Sequence, residues 1–152
     1  MKKNKKFAGY INLKPINEVL YPSSIQNILM KNYVTEILNG KFYLSPTEVL
    51  QAKNVITLNT LISKEVKVKG IVMLSVFFLP FERKKRQIFY KRALKNKKEL
   101  HFMLDEIVFK SKDDIGNIEN RLIFRSSFFT KTRKKTNNFE KNIANSLKTS
   151  FV

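Results

Sequence analysis

The chain has no cysteine and a single histidine, His101. Disulfides, thiolate zinc sites and cysteine nucleophiles are therefore excluded, as is any cluster of histidine metal ligands. A Ser-His-Asp triad would have to be assembled around His101 alone. Glycine is scarce, and the 4 scattered residues form neither G-x-G-x-x-G nor G-x-x-x-x-G-K-[ST]. No G-x-S-x-G elbow is present for a hydrolase serine. The longest apolar stretch, residues 70–81, falls short of the roughly 20 residues that span a bilayer. The N-terminal MKKNKK has the charge of a signal-peptide start, but the FAGYINLKP behind it is short and interrupted by Asn12 and Lys14. A cytoplasmic product is expected.

Acidic residues are also few, 12 against 30 Lys and Arg, which leaves a net charge of +18. Residues 2–6 carry +4, residues 82–98 carry +8 and residues 125–152 carry +6, so the remainder is neutral. This distribution predicts a basic N-terminal extension (1–6), a single near-neutral domain (7–124) with one basic helix, and a basic, flexible tail (125–152). Such a field attracts polyanions nonspecifically. Lysine greatly outnumbers arginine, which argues against bidentate recognition of phosphate or guanine. What the chain has in quantity is apolar surface: 43% hydrophobic residues, 13 Phe among them, enough for one folded core in 152 residues.

Residues 7–13 form an apolar run that predicts a first strand, and Ser23 with Gln26 reads as the capping box of a helix. That helix carries Ile25, Ile28, Leu29, Val34, Ile37 and Leu38 at helical spacing and is expected to end at Gly40. A short second strand follows at 41–45, then a helix at about 54–64 with Val55, Leu58, Leu61 and Ile62 on one face. The stretch Ser45-Pro46-Thr47-Glu48 also resembles a helix start. Residues 70–79, apolar without alternation, predict a strand covered on both faces. A helix over 82–98 sets Phe89, Tyr90, Ala93 and Leu94 against Lys84, Lys85, Lys91, Arg92 and Lys95. A fourth strand is expected at 100–104, and Ser111 with Asp114 would cap a last helix. Alternation of strands and helices argues for an α/β fold: a small, doubly wound, mainly parallel four-stranded sheet with helices on both faces.

In such a sheet ligands bind beyond the carboxyl ends of the strands. This selects Asn12, Ser23, Gln26, Asn27, Ser45, Thr47, Glu48 and Ser75 as ligand-binding candidates, with Glu48 and His101 as possible general acids or bases. Each also has a structural reading: Ser23, Gln26, Ser45 and Glu48 as caps, Ser75 as a buried strand serine, His101 as a satisfied core imidazole. Asp105 and Glu106 are either turn residues or a carboxylate pair. No metal site and no particular cofactor is indicated. Lys84, Lys85, Lys91, Arg92 and Lys95 are the candidates for binding polyanions.

The segments YPSSIQNILMKNY (21–33), LSPTE (44–48), GIVMLSVFFLP (70–80), IFYKRAL (88–94) and ELHFMLDEIVF (99–109) resemble a family of small bacterial proteins, the sporadic carbohydrate cluster proteins. The resemblance implies a role in surface-carbohydrate biosynthesis, with a sugar-linked small molecule or an enzyme of the same cluster as partner. It nominates Ser23, Gln26, Asn27, Tyr33, Thr47, Glu48 and His101, without assigning them roles. The chain also resembles the catalytic domain of serine recombinases: an apolar strand containing Tyr10, a Gln-bearing helix, then a second apolar strand. Where that family would place its Arg and nucleophilic Ser, this chain reads Tyr10-Ile11-Asn12-Leu13-Lys14, and the later Asp-Arg pair falls near Phe77-Phe78. The chemistry of strand transfer is missing while the scaffold is shared. Two functions are thus expected as alternatives, a small enzyme or accessory of carbohydrate biosynthesis and a noncatalytic binder of nucleic acid or anionic membrane.

Overall fold

The computed structural model describes residues 5–49 and 54–124. The tail expected over 125–152 and most of the basic head lie outside the described residues. The chain divides after Ile118 into two units, and the whole sheet belongs to the first, Met1–Ile118.

The elements alternate as the apolar pattern requires. In order they are β1 (Lys6–Gly9), α1 (Ser23–Asn32), β2 (Lys41–Phe42), α2 (Ile56–Leu61), β3 (Gly70–Met73), α3 (Arg83–Lys95), β4 (Glu99–Phe102) and β5 (Ile107–Phe109). A further helix, α4, occupies residues 115–124. The sheet has five strands in the order β2-β1-β3-β4-β5, not the four expected. The first four are parallel, and β5 returns antiparallel to β4 through a tight turn in which Glu106 takes φ 55°. The three-residue IVF of β5 is too short to show a period of its own, so it was legible only once β4 was in place.

Register assigns the two faces. Phe7, Ile11 and Val72 join Met30 and Val34 in one cluster, so α1 covers that side. On the other side Tyr10 stacks edge-on against Phe78, and Tyr90 of α3 lies against Phe109. Leu58, Leu61, Ile62, Phe89 and Ala93 are buried as their spacing predicted.

Several elements depart from the sequence expectation for identifiable reasons. Helix α1 buries Gln26, Met30 and Val34 and leaves Ile25, Ile28 and Ile37 exposed. It is turned this way because Gln26 is drawn inward by hydrogen bonds to the Asn12 backbone beyond β1, and Met30 and Val34 follow it at intervals of four. No Ser23–Gln26 capping box forms: Pro22 is the N-cap and offers no side-chain bond. The helix does not run regularly to Gly40 but widens at Tyr33–Ile37 into a π-helical turn, with Leu38 N–H donating to the Tyr33 carbonyl at 3.1 Å. No helix starts at Ser45; that segment runs extended, and Ile11 bridges to Thr47 beside β1. The long apolar run after Gly70 is a strand only as far as Met73 and then turns through a 3-10 segment, Val76–Phe78, capped by Ser75. The capping box of Ser111 with Asp114 is present.

Gly40 is required for closeness, not for left-handed backbone. The residue in that conformation is Asn39, at φ 47°. A Cβ on Gly40 would sit 2.9 Å from the Lys5 carbonyl oxygen and 2.9 Å from the Phe7 ring. Gly40→Ala is therefore expected to destabilise the fold by roughly 1–3 kcal/mol, as overpacking does, read as a lowered urea midpoint at unchanged m-value.

Candidate functional site

Beyond the carboxyl ends of β1 and β3 the structure gathers several of the nominated side chains. Tyr10 follows β1 and points to the α2 side, where its hydroxyl donates to Glu48 Oε2 at 2.8 Å. Asn12, two residues on, donates from Nδ2 to the same hydroxyl at 3.0 Å. The Asn12 backbone is clasped by Gln26 of α1, whose Oε1 accepts from its N–H at 3.3 Å and whose Nε2 donates to its carbonyl at 2.8 Å. Gln26 Nε2 also donates to the Tyr21 carbonyl. Tyr10, Asn12, Gln26 and Glu48 thus form one buried network that joins β1 to the helices on both faces.

Glu48 is a cap, though not of the helix its own segment suggested. Oε1 accepts from Val49 N–H at 3.0 Å and Thr57 N–H at 3.1 Å, and Oε2 from Leu58 N–H at 3.3 Å. The carboxylate closes the amino end of α2, where free amides favour a negative charge. Burial alone would raise its pKa, but the three amides and the Tyr10 hydroxyl outweigh burial and hold it below the usual carboxylate range. Tyr10 moves the other way: burial, then its bond to Glu48, push the phenol far above its ordinary value. With four donors on two oxygens, Glu48 has little basicity to offer a substrate.

A second chain of contacts lies on the α1 side. His101 is buried on β4, with Nδ1 3.2 Å from the Tyr33 hydroxyl and Nε2 3.3 Å from Glu99 Oε2. Phe7 packs edge-on against the imidazole. Glu99 pairs in turn with Lys69 at 3.1 Å. Burial lowers the His101 pKa and Glu99 opposes that only in part. The imidazole is thus neutral at pH 7, donating from Nε2 and accepting the Tyr33 proton at Nδ1. The Tyr33 phenol, raised by burial, is no ready nucleophile.

The remaining candidates are dispersed. Ser45 Oγ donates to Asn27 Oδ1 at 2.6 Å beside β2. Ser75 donates to Asp105 Oδ2 at 2.8 Å, and Val76 N–H reaches the same oxygen, tying the turn after β3 to the turn after β4. Ser23 and Thr47 are exposed. Among the described residues no three His, Asp or Glu side chains converge as metal ligands, and no buried side-chain polar atom lacks a partner. Sequence reasoning did not single out Glu99 and Lys69. Glu99 was recoverable, since a residue two positions from His101 on a strand shares its face.

No protein-family model matches the chain, and no curated protein matches it. Among solved structures it is similar to the N-terminal catalytic domain of TP901-1 integrase, with a TM-score of 0.59 and 15% identity over 85% of this chain and 99% of that one. At that identity the likeness concerns the fold alone, which is the scaffold resemblance expected for recombinase catalytic domains.

Two outcomes follow from the networks. Glu48→Gln sets an amide NH2 against backbone donors and is expected to cost roughly 1–3 kcal/mol in urea denaturation; the stability Glu48 contributes is present above its unfolded pKa of about 4.3 and lost as pH falls through the lower folded value. His101 acts at higher pH: its folded pKa lies below the unfolded value of about 6.5, so stability should decline as pH drops from there. His101→Gln should flatten that slope between about pH 7 and 5 when urea midpoints are compared.

Proposed function

We propose that this chain is a noncatalytic nucleic-acid-binding protein on an integrase-like scaffold. The observation that carries the reading is the outer face of α3, where Lys84, Lys91, Arg92 and Lys95 are all exposed. Lys85 is half-buried and pairs with Glu82 at 2.8 Å, a surface bond weak enough to be exchanged for a phosphate. Arg86 is the exception on this helix, buried and donating to the Pro80 and Phe81 carbonyls.

Nucleic acid fits this surface better than a membrane does. An interfacial helix must place its apolar face among lipid tails, whereas α3 spends Phe89, Tyr90 and Ala93 on the protein core. The likeness to an integrase catalytic domain supports the same context. Catalysis is disfavoured because Tyr10 and Tyr33 are held protonated and Glu48 is saturated with donors. The same saturation weighs against a sugar-linked substrate at the carboxyl edge, since binding it there would mean breaking a satisfied network.

Fluorescence anisotropy of a labelled short DNA should show affinity falling linearly on a log–log salt plot. Changing Lys84, Lys91 and Lys95 together to Gln should make that slope shallower by about 2, because each phosphate contact contributes roughly 0.7–0.9. Salt-insensitive binding, or none near physiological ionic strength, would overturn the reading.

A further inference from the structure

Counted along the chain, residues 7–81 and 99–124 cancel, but the fold sets lysines from them beside Lys5-Lys6 of the basic head and Lys97-Lys98. Each of the four parallel strands is entered through lysine: Lys5-Lys6 at β1, Lys41 at β2, Lys67 and Lys69 before β3, and Lys97-Lys98 before β4. Register then sets them side by side. Lys6 is the direct partner of Lys41. Phe7 pairs with Gly70 and Gly70 with Glu99, so one step back Lys6 stands level with Lys69, and Lys69 with Lys98. Backbone bonds confirm the alignment, with Lys41 N–H donating to the Lys5 carbonyl and Lys69 N–H to the Lys6 carbonyl. On the far side, antiparallel pairing of Leu100 with Phe109 brings Lys110 opposite Glu99.

This is a rung of like charge across one end of the sheet, an arrangement that opposes folding. Only part of it is offset internally. Lys98 is buried, its Nζ donating to the Val66 and Val68 carbonyls, Lys69 is paired with Glu99, and the exposed Lys67 donates to the Lys64 carbonyl. Lys6, Lys41, Lys67, Lys97 and Lys110 are exposed. Glu65 stands as an exposed acid among them, close enough to feel Lys67. Between Lys69, Lys97, Lys98 and Lys110 opens a pocket of about 290 Å³ floored by Leu94 and Glu99. Adjacent strands are spaced about 4.8 Å, so the row is roughly 19 Å long, enough to follow several consecutive phosphates of one strand.

The edge also carries an aromatic face. Tyr43, next to β2, is 56% exposed, and Lys6 Nζ lies 5.7 Å from its ring centroid. A cation beside an open ring is the pairing that holds an unstacked base and its phosphate together, which duplex DNA, with its bases already stacked, cannot use. Lysine in place of arginine suits backbone contact without base readout.

We propose that the amino edge of the sheet is a track for single-stranded nucleic acid, with Lys6, Lys41, Lys67, Lys69, Lys97 and Lys110 facing phosphates and Tyr43 stacking a base. The proposal rests on the nucleic-acid reading of the chain and adds a second surface to it.

The test is anisotropy of the full chain with a fluorescent oligo-dT of about 15 nucleotides at about 50 mM salt, with a duplex of equal length and heparin as competitors. Joint replacement of Lys41, Lys67 and Lys97 by Gln should weaken oligo-dT binding by about tenfold or more and make the salt slope shallower by about 2. Removing like charges should leave the thermal midpoint of the free protein unchanged or higher, which separates lost binding from lost folding. Tyr43→Ala should weaken oligo-dT binding by about fivefold or more while leaving heparin binding unchanged. If the edge variant binds as the parent does while the α3 variant does not, the track is overturned and the broader nucleic-acid reading stands. If duplex competes as well as single strand and Tyr43→Ala has no effect, the single-strand assignment is wrong. Failure of the parent protein to bind either DNA would remove both.

Discussion

The Glu48 carboxylate is the joint on which this fold turns. It accepts from the hydroxyl of Tyr10 at the end of β1 and from the first amides of α2, so strand and helix meet at one buried charge. The short α2 has little intrinsic stability and gains a cap from a residue eight positions before its start. Asn12 and Gln26 extend the joint to α1 on the opposite face. The position of both helix layers relative to the sheet is therefore referred to a single network, and the cost of burying a carboxylate is met by four directed donors.

That arrangement explains which features were legible in the sequence. The α/β class, the parallel central strands and the apolar arcs of α2 and α3 follow from period and turn chemistry, which act locally. Asn12, Gln26 and Glu48, nominated by the rule that loops converge at carboxyl ends, lie in one hydrogen-bond network. The pairings that join the network were not legible, because Asn12 with Gln26 and Tyr10 with Glu48 are separated by 14 and 38 residues. Gln26 read as half of a capping box with Ser23, yet its amide holds the Asn12 backbone beyond β1, and that reversal rotated the expected buried face of α1 away from Ile25 and Ile28. A polar residue with strong long-range partners overrode an apolar stripe, as tertiary contacts routinely override local pattern.

Charge was legible in amount but not in arrangement. Segment sums isolate α3 and the termini because their lysines are contiguous in sequence. The lysines that precede the four parallel strands are spaced some thirty residues apart, so no contiguous segment sum shows them as one group. Parallel topology is what superposes them, since every parallel strand begins at the same edge.

The two ends of the sheet thus differ in how they treat charge. At the carboxyl edge, the usual place for ligands in such sheets, the described side chains complete one another's hydrogen bonds and a carboxylate is stabilised by helix amides. At the amino edge, cations are stacked level with one another; among the described residues Lys69 is paired with Glu99, and Lys67 and Lys98 are met by backbone carbonyls. A repulsive row of this kind lowers the stability of the free protein, and anything that neutralises it while binding only the folded form returns that stability by mass action. The physical asymmetry therefore favours the amino edge, not the carboxyl edge, as the place where an external ligand gains free energy by binding, because there the chain has left interactions to be made.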